Sequence, residues 1–537
     1  MERSVVTGKL CNSQLWSVVL ISFVLCFVLL CFDYSALNGE DTGVTVLENN
    51  NFANSVSTQD SKSHDFSSLF NDSIFLLPNN SISIVGFVGN KTDKPMIKSS
   101  TKEGEEVKSD VDSCLGRYIF VHDVPSQFNE DLLRNCELLT PGSDKNMCPY
   151  LVNLGFGPQI ENPQDVLLNN SWFLTNQFLL EVIFHNRIKN YKCLTNDSSL
   201  ASAIFVPFYA GLDLGRYLWG FNISVRDSSA FGFVKWLTEK PEWKRMGGRD
   251  HFLVAGRISW DFRRQTDNES DWGSKLRFLP ESRNMSMLSV EASAWNNDFA
   301  IPYPTCFHPS KDSEVFQWQD RMRWQTRPYL FSFAGAPRPE YQNSIRGNLI
   351  DQCLASKNRC RLLDCNYGAT NCNNPVNVMK VFRRSVFCLQ PAGDSYTRRS
   401  VFDSILAGCI PVFFHPGTAY AQYKWHLPKN YTKYSVYIPV KDVSDLTMNI
   451  NETLLQIPES RVLALREEVI KLIPSIVYAN PRSTLGTLED AFDLAVKGIL
   501  ERIEKVRSMI RVGKDPSIGF ADGDDYKYTF SPYGSGI

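Results

Sequence analysis

The chain reads as an α/β protein with two domains, and three observations carry that reading. From Cys114 onward, short apolar runs ending in turn or polar residues alternate with helix-period segments, as in strand–helix units around a parallel sheet. The runs fall into two sets, separated by the charged stretch DSEVFQWQDRMRWQTRP that closes at Pro328. The 537 residues, 43% of them hydrophobic, can fill about two to three cores of ordinary size.

Taken in order, residues 1–14 form a short tail carrying Arg3 and Lys9. Leu15–Phe32, LWSVVLISFVLCFVLLCF, has eighteen residues and no charge, enough to cross a bilayer core. Basic residues before it and Asp33, Glu40 and Asp41 after it predict a signal anchor, with the tail cytosolic and everything beyond luminal. A cleaved signal peptide is the competing reading, but YSALNG is a poor cleavage site. Residues 33–112 are rich in Ser, Asn, Asp, Thr and Lys and bury too little to offset ordering, so a flexible stem is expected.

The first set of strands is expected at 117–121, 203–209, 251–255 and 299–303, within a domain at 113–325. The second set, 329–335, 385–389, 410–414 and 434–440, lies within a domain at 326–480. Leu488, Phe492, Ala495, Ile499, Ile503 and Val506 recur at three- and four-residue spacing and predict a closing helix within 481–510. The Gly- and Asp-rich tail, 511–537, is expected to be disordered.

Net charge is −2, which argues against nucleic acid as a partner. Ten Asn-x-Ser/Thr sequons lie downstream of the apolar stretch and agree with a luminal body. So do eleven cysteines, among them the cluster Cys353, Cys360, Cys365 and Cys372, whose spacing lacks the close pairs of a zinc site. Disulfides are expected, with at least one free thiol, for which Cys388 or Cys409 are the candidates.

One segment carries the chemistry: FCLQPAGDSYTRRSVFDSILAGCIPVFF, Phe387–Phe414. A strand, a loop containing Gly393 and a helix starting near Arg398 and Arg399 make a βα junction at a sheet's exit edge, where open α/β sheets bind ligands. Unpaired amides of the first helical turn and two guanidinium groups suit phosphate oxygens. Asp403, one turn beyond Arg399, could accept from the hydroxyls of a ribose; the same pair equally reads as a solvated i,i+4 ion pair. YLFSFAGAPRPEYQNSIRG repeats the strand–glycine–arginine plan, with Gly335 for close approach and Arg338 and Arg346 for charge. Diphosphate plus ribose outlines a sugar nucleotide.

These segments, with FVPFYAGLDLGRYLWG, GGRDHFLVAGRISWDFRR and YKCLTNDSSLASAIFVP, resemble the plant exostosin-like glycosyltransferases of family 47, most closely their xyloglucan galactosyltransferase clade. The resemblance spans about Cys114 to Ile503. It implies a GT-B fold: two Rossmann-like domains facing a cleft, the acceptor held by the first and the UDP-sugar by the second. It also implies an inverting transfer of galactose from UDP-galactose to O2 of a xylosyl side chain of xyloglucan, with no metal or other cofactor required. A type II protein of the Golgi membrane would carry it out, and the sequence leaves open a homo- or hetero-complex with other wall-polysaccharide transferases. Many relatives carry an arginine three residues before the helix acid, where this chain has Ser400, so which arginine touches phosphate is left open. Galacturonic acid and arabinose donors stand as alternatives, as does a tethered carbohydrate-binding protein without turnover. A glycoside hydrolase would have no use for a nucleotide pocket.

Donor binding is thus expected from Arg338, Arg346, Gly393, Arg398, Arg399 and Asp403. The base that takes the acceptor proton should project from an exit edge of the first domain. Asp213 after AIFVPFYAGL and His122 after RYIFV satisfy that placement, with Asp213 slightly preferred. Asp250 and His251 stand at a strand's entry end and read as structural. Arg257 and Trp260 stand past its exit and are better cleft candidates. Trp219, Trp260, Trp272 and Trp425 could offer flat faces to sugar rings, although large aromatics more often fill cores.

Overall fold

Parallel strands need long crossovers, and the spacing of the apolar runs supplies them. In the computed structural model, which describes residues 112–514 and Pro516 apart from 141–145, 162–164, 294, 340–343, 367–369 and 484, the runs assemble into two parallel sheets of five strands. Leu15–Phe32, the stem and most of the tail lie outside the described residues. Among the described residues no helix is long and apolar enough to cross a membrane.

The first sheet comprises β1 (Tyr118–Val121), β2 (Ala201–Phe205), β3 (His251–Ala255), β4 (Ser286–Ser289) and β5 (Asp298–Ala300), side by side in that order. Helices α1 (Leu180–Ile188), α2 (Ala210–Gly215) and α3 (Ile223–Thr238) accompany it. After α4 (Asp312–Arg323) come β6 (Tyr329–Gly335), α5 (Arg346–Ala355), β7 (Cys360–Asp364), β8 (Ser385–Gln390), α6 (Arg399–Leu406), β9 (Ile410–Phe413) and β10 (Val436–Tyr437). The second sheet's order is β10-β9-β8-β6-β7, so its first strand lies between its second and third. Chain direction therefore reverses between β6 and β8, and such a switch point opens a crevice at the exit edge. The first sheet has no such reversal.

Two strands escaped the sequence reading. β4 is four residues long, SMLS, fully buried but with serines at both ends, so no apolar run announces it. β7 lies at a sheet edge among cysteines, with only Cys360 of its five residues buried. The connector α4 packs with the second half: Trp318 Nε1 donates to Leu406 O at 2.8 Å, and Arg323 meets Glu467 at 3.0 Å. The closing helix, preceded by α7 (Glu459–Lys471), is α8 (Ala491–Arg511), and it returns to the first half. There Phe492 packs on Phe184 with centroids 4.8 Å apart, and Arg507 reaches Ala201 O. One hydrophobic cluster runs from Ile119 in β1 through both halves to Ile503 in α8.

The disulfides correct one expectation. Cys388 and Cys409 are bonded to each other, joining β8 to the turn before β9, and the buried free thiol among the described residues is Cys306. The other bonds are Cys114–Cys193, Cys136–Cys148, Cys353–Cys360 and Cys365–Cys372.

Candidate active site between the two exit edges

At the switch point, the loop after β8 and the loop after β6 face each other. Gly393 leaves room for Arg398: a Cβ there would fall 1.3 Å from Arg398 Nη2, so the guanidinium lies directly over the loop backbone. Arg398 occupies the N-cap position of α6, and its Nε and Nη2 are buried without a hydrogen-bond partner. Arg338 approaches from the β6 loop. Both guanidinium groups converge on one carboxylate oxygen, Asp394 Oδ1, at 3.4 Å from Arg338 and 3.6 Å from Arg398. That oxygen marks a place suited to a phosphate oxygen between two cations at a helix N-terminus.

The other predicted donor residues do different work. Arg346 is buried in the first turn of α5 and ties the two loops together, donating to Ala392 O at 2.9 Å and Ala336 O at 3.4 Å. Arg399 reaches across to the first half, where it donates to Thr175 O and Cys306 Sγ, each at 2.7 Å. Asp403 stands 3.5 Å from Arg399 Nε, and burial raises its pKa even though that arginine pulls the other way. The i,i+4 pair is thus a partly buried tie between halves. Gly335 is demanded by the Phe333 ring, 2.5 Å from where its Cβ would stand. Tyr396, half exposed, stacks on His415 at the exit of β9, ring centroids 4.2 Å apart.

Facing these loops, the segment after β4 is clasped residue by residue. Tyr423 Oη donates to Val290 O at 2.8 Å, and Gln422 exchanges hydrogen bonds with Ala292. Between them Glu291 Oε2 accepts from Thr397 N–H at 2.8 Å, while Glu291 Oε1 is buried with no hydrogen bond. Burial raises the Glu291 pKa; the Thr397 amide, the neighbouring hydroxyls and Arg398 oppose that rise. Glu291 went unnoticed in the sequence because β4 did. Its signal would have been an acid just past a strand, in SMLSVEAS.

Along the same edge, Trp219 and Trp260 are 58% and 44% exposed, a large apolar area left in water beside the crevice. The Arg257 guanidinium lies near the Trp219 ring, 5.8 Å from its centroid, and is held by Asp261 at 3.0 Å. Trp272 packs edge-on against Trp219 and donates to Asp261. Trp425 is core, stacked on Phe299.

Residues 113–454 match the Exostosin GT47 domain. The chain belongs to the exostosin GT47 family. It is 62% identical over 541 residues to Probable xyloglucan galactosyltransferase GT14 of Arabidopsis thaliana, covering 99% of this chain and 97% of that protein. Xyloglucan galactosyltransferase MUR3 of the same plant is 58% identical over 418 residues, 78% of this chain and 67% of that protein. Xyloglucan-specific galacturonosyltransferase 1, also from Arabidopsis thaliana, is 42% identical over 402 residues, 73% of this chain and 58% of that one. A glycosyltransferase from Rickettsia africae shares 9% identity over 73% of this chain and 99% of that one, with a TM-score of 0.31, too distant to carry an argument. The sheets themselves give this exostosin GT47 chain a GT-B-like α/β architecture.

The two expected bases of this GT47 chain stand elsewhere. The Asp213 carboxylate, on α2, accepts from Arg216 and from Ser229 of α3, so it is engaged with helices of its own half. His122 opens into a cavity of about 620 Å³ past β1, lined also by His185, Lys189 and Trp236. Because β3 starts beside the end of β2, with Ile204 opposite His251, the His251 ring comes level with His122. Their Nε2 atoms are 3.3 Å apart, and His251 Nδ1 is 2.8 Å from Asp250. Burial and His251 push the His122 pKa down to about 4, making it a weak proton acceptor. Asp250–His251 is a buried pair, as its entry-end position suggested.

Proposed function

We propose that this chain transfers galactose from UDP-galactose to O2 of xylosyl side chains of xyloglucan, with inversion. The observation that supports this reading above others is 62% identity along nearly the whole chain to a probable xyloglucan galactosyltransferase, joined to a cationic crevice at the switch point. Arg338, Arg398 and the α6 N-terminus would hold the diphosphate and stabilise the charge developing on it as UDP departs. Gly393 lets Arg398 lie close, Arg346 braces both loops, and Arg399 with Asp403 ties the halves so that the loops face Glu291. Those cations supply the charge that a divalent ion would otherwise supply, so the transfer is expected to need no metal. Exposed Trp219 and Trp260 offer flat apolar faces to the glucan rings of the acceptor.

Galactose is favoured over galacturonic acid because the relatives named for galactose transfer are the more similar, at 62% and 58% against 42%. Leu15–Phe32 would anchor the enzyme in the Golgi membrane with its body luminal. The deciding experiment incubates the protein with a panel of UDP-sugars and xyloglucan oligosaccharides in the presence of a chelator. Release of UDP with UDP-galactose alone, and a product with galactose on O2 of xylose, is expected. Turnover only with UDP-galacturonic acid, or only after metal addition, overturns the corresponding part.

A further inference from the structure

A base for this transfer must lie on the exit edge beside the cations that hold the diphosphate, because the attacked carbon is bonded to that group. It must keep one oxygen uncommitted, and it must hold its geometry before the acceptor arrives. Carboxylates of the first half fail one or more of these conditions. Glu181 spends its oxygens on the Gly211 and Leu212 amides. Asp261 accepts from Trp272 on one oxygen and from Arg257 on the other. Asp213 takes Arg216 and Ser229 on Oδ1 alone, and fails instead by position, engaged with helices of its own half and not beside the cations.

Glu291 meets all three. Its Oε2 is fixed by the amide of Thr397, the residue next to Arg398, so the carboxylate is registered against the phosphate-binding loop itself. Its Oε1 is buried and takes no hydrogen bond. Flanking Val290 and Ala292 are pinned by Tyr423 and Gln422 of the second half, so the residue has little room to drift. We propose that Glu291 is the catalytic base of the transfer, an inference that rests on the sugar-transfer reading above.

In the step, Glu291 Oε1 takes the proton of the acceptor hydroxyl while that oxygen bonds to the anomeric carbon. The bond from that carbon to the β-phosphate oxygen breaks, its electron pair leaves with UDP, and Arg398 and Arg338 face the added charge. Glu291 afterwards gives its proton to water. The groups facing the carboxylate are Arg398, the Thr397 and Ser395 side chains, and the buried phenols of Tyr303 and Tyr423. Arg398 is the one permanent charge among them. Burial keeps the proton affinity of Glu291 above that of an ordinary carboxylate, against the opposing pull of the Thr397 amide, the hydroxyls and Arg398, which helps a base.

The test uses the full-length protein with Glu291→Gln and Glu291→Asp, measuring transfer and, separately, UDP affinity by titration calorimetry. Glu291→Gln should lower kcat by about 10²–10⁴-fold, leave UDP affinity within about threefold, and abolish the acidic limb of the kcat/KM profile. Glu291→Asp should keep an acidic limb with intermediate activity. Glu291→Gln retaining more than about a tenth of kcat overturns the proposal, and so does a loss of UDP affinity in step with kcat, which would make Glu291 only a brace for the loop. If the wild type uses another sugar or acceptor, the galactose–xyloglucan reading fails and the same comparison on that pair still decides Glu291. A wild type that binds UDP and turns over no UDP-sugar ends both.

Discussion

The two sheets have the same number of strands, all parallel, yet they offer their exit edges to different chemistry. In the second, the first strand is sandwiched between its successors, and the loops after β6 and β8 face each other across the switch point, with Arg338 and Arg398 converging on Asp394. In the first, strands follow one another across the sheet, and the edge is an uninterrupted row: His122, the α2 loop with Trp219, Arg257 with Trp260, then Glu291. A gap with converging cations suits a compact anion, whereas a row with exposed indole faces suits an extended, uncharged chain. On the proposed function, strand order, more than composition, separates donor side from acceptor side.

Breaking the donor gap should cost most. Arg398→Ala removes the cation over Gly393 and is expected to weaken UDP binding by about 10²-fold or more with little change in melting temperature, read by calorimetry and thermal melts. The neighbouring Arg399→Ala should show the opposite profile. Its bonds to Thr175 and Cys306 hold the halves together and Asp403 would be left partly buried without its cation, so a loss of about 1–3 kcal/mol in stability is expected from denaturant titration. Equal effects of the two substitutions on nucleotide affinity would erase the distinction between them. On the acceptor row, Trp219→Ala with Trp260→Ala should raise KM for xyloglucan oligosaccharides about tenfold and leave UDP affinity unchanged.

The smallest expected effect concerns pH. His122 has its pKa lowered to about 4 in the fold from about 6.5 when unfolded, so the unfolded chain binds the extra proton first. Its share of stability is complete above about pH 6.5 and is lost as pH falls toward 4, on the order of 1–2 kcal/mol by pH 5. His185, pushed down to about 3 by burial, adds in the same direction. Melting temperature should therefore fall between pH 7 and 5, and His122→Asn should flatten the slope. An unchanged slope would show that the cavity beyond β1 is too wet to matter.

What could be read in advance followed from local chemistry. β3 and β6 sit where their apolar runs do, because a strand buried on both faces is predominantly apolar. α8 is legible from its spacing, because one face of a helix repeats every three or four residues. The loop after β8 advertised itself through glycine and paired arginines next to a buried strand. The expectation failed where meaning lay in partners distant along the chain.

Arg398 and Arg399 are adjacent and chemically identical, so nothing local says that one lies over Gly393 and the other reaches Thr175, 224 residues away. His122 and Asp213 both follow strands, as a base should, but strand stagger and α3 give their side chains other partners. Glu291 hides behind a strand of four residues with polar ends. The sequence by itself determined the α/β class, the two strand sets, the closing helix and the glycine- and arginine-bearing loop after β8, because each depends on periodicity or on residues that are neighbours in the chain. Tertiary structure alone decided which arginine faces the crevice, which cysteine stays free and which carboxylate keeps an oxygen unbonded, because those depend on what packing brings within about 3–4 Å.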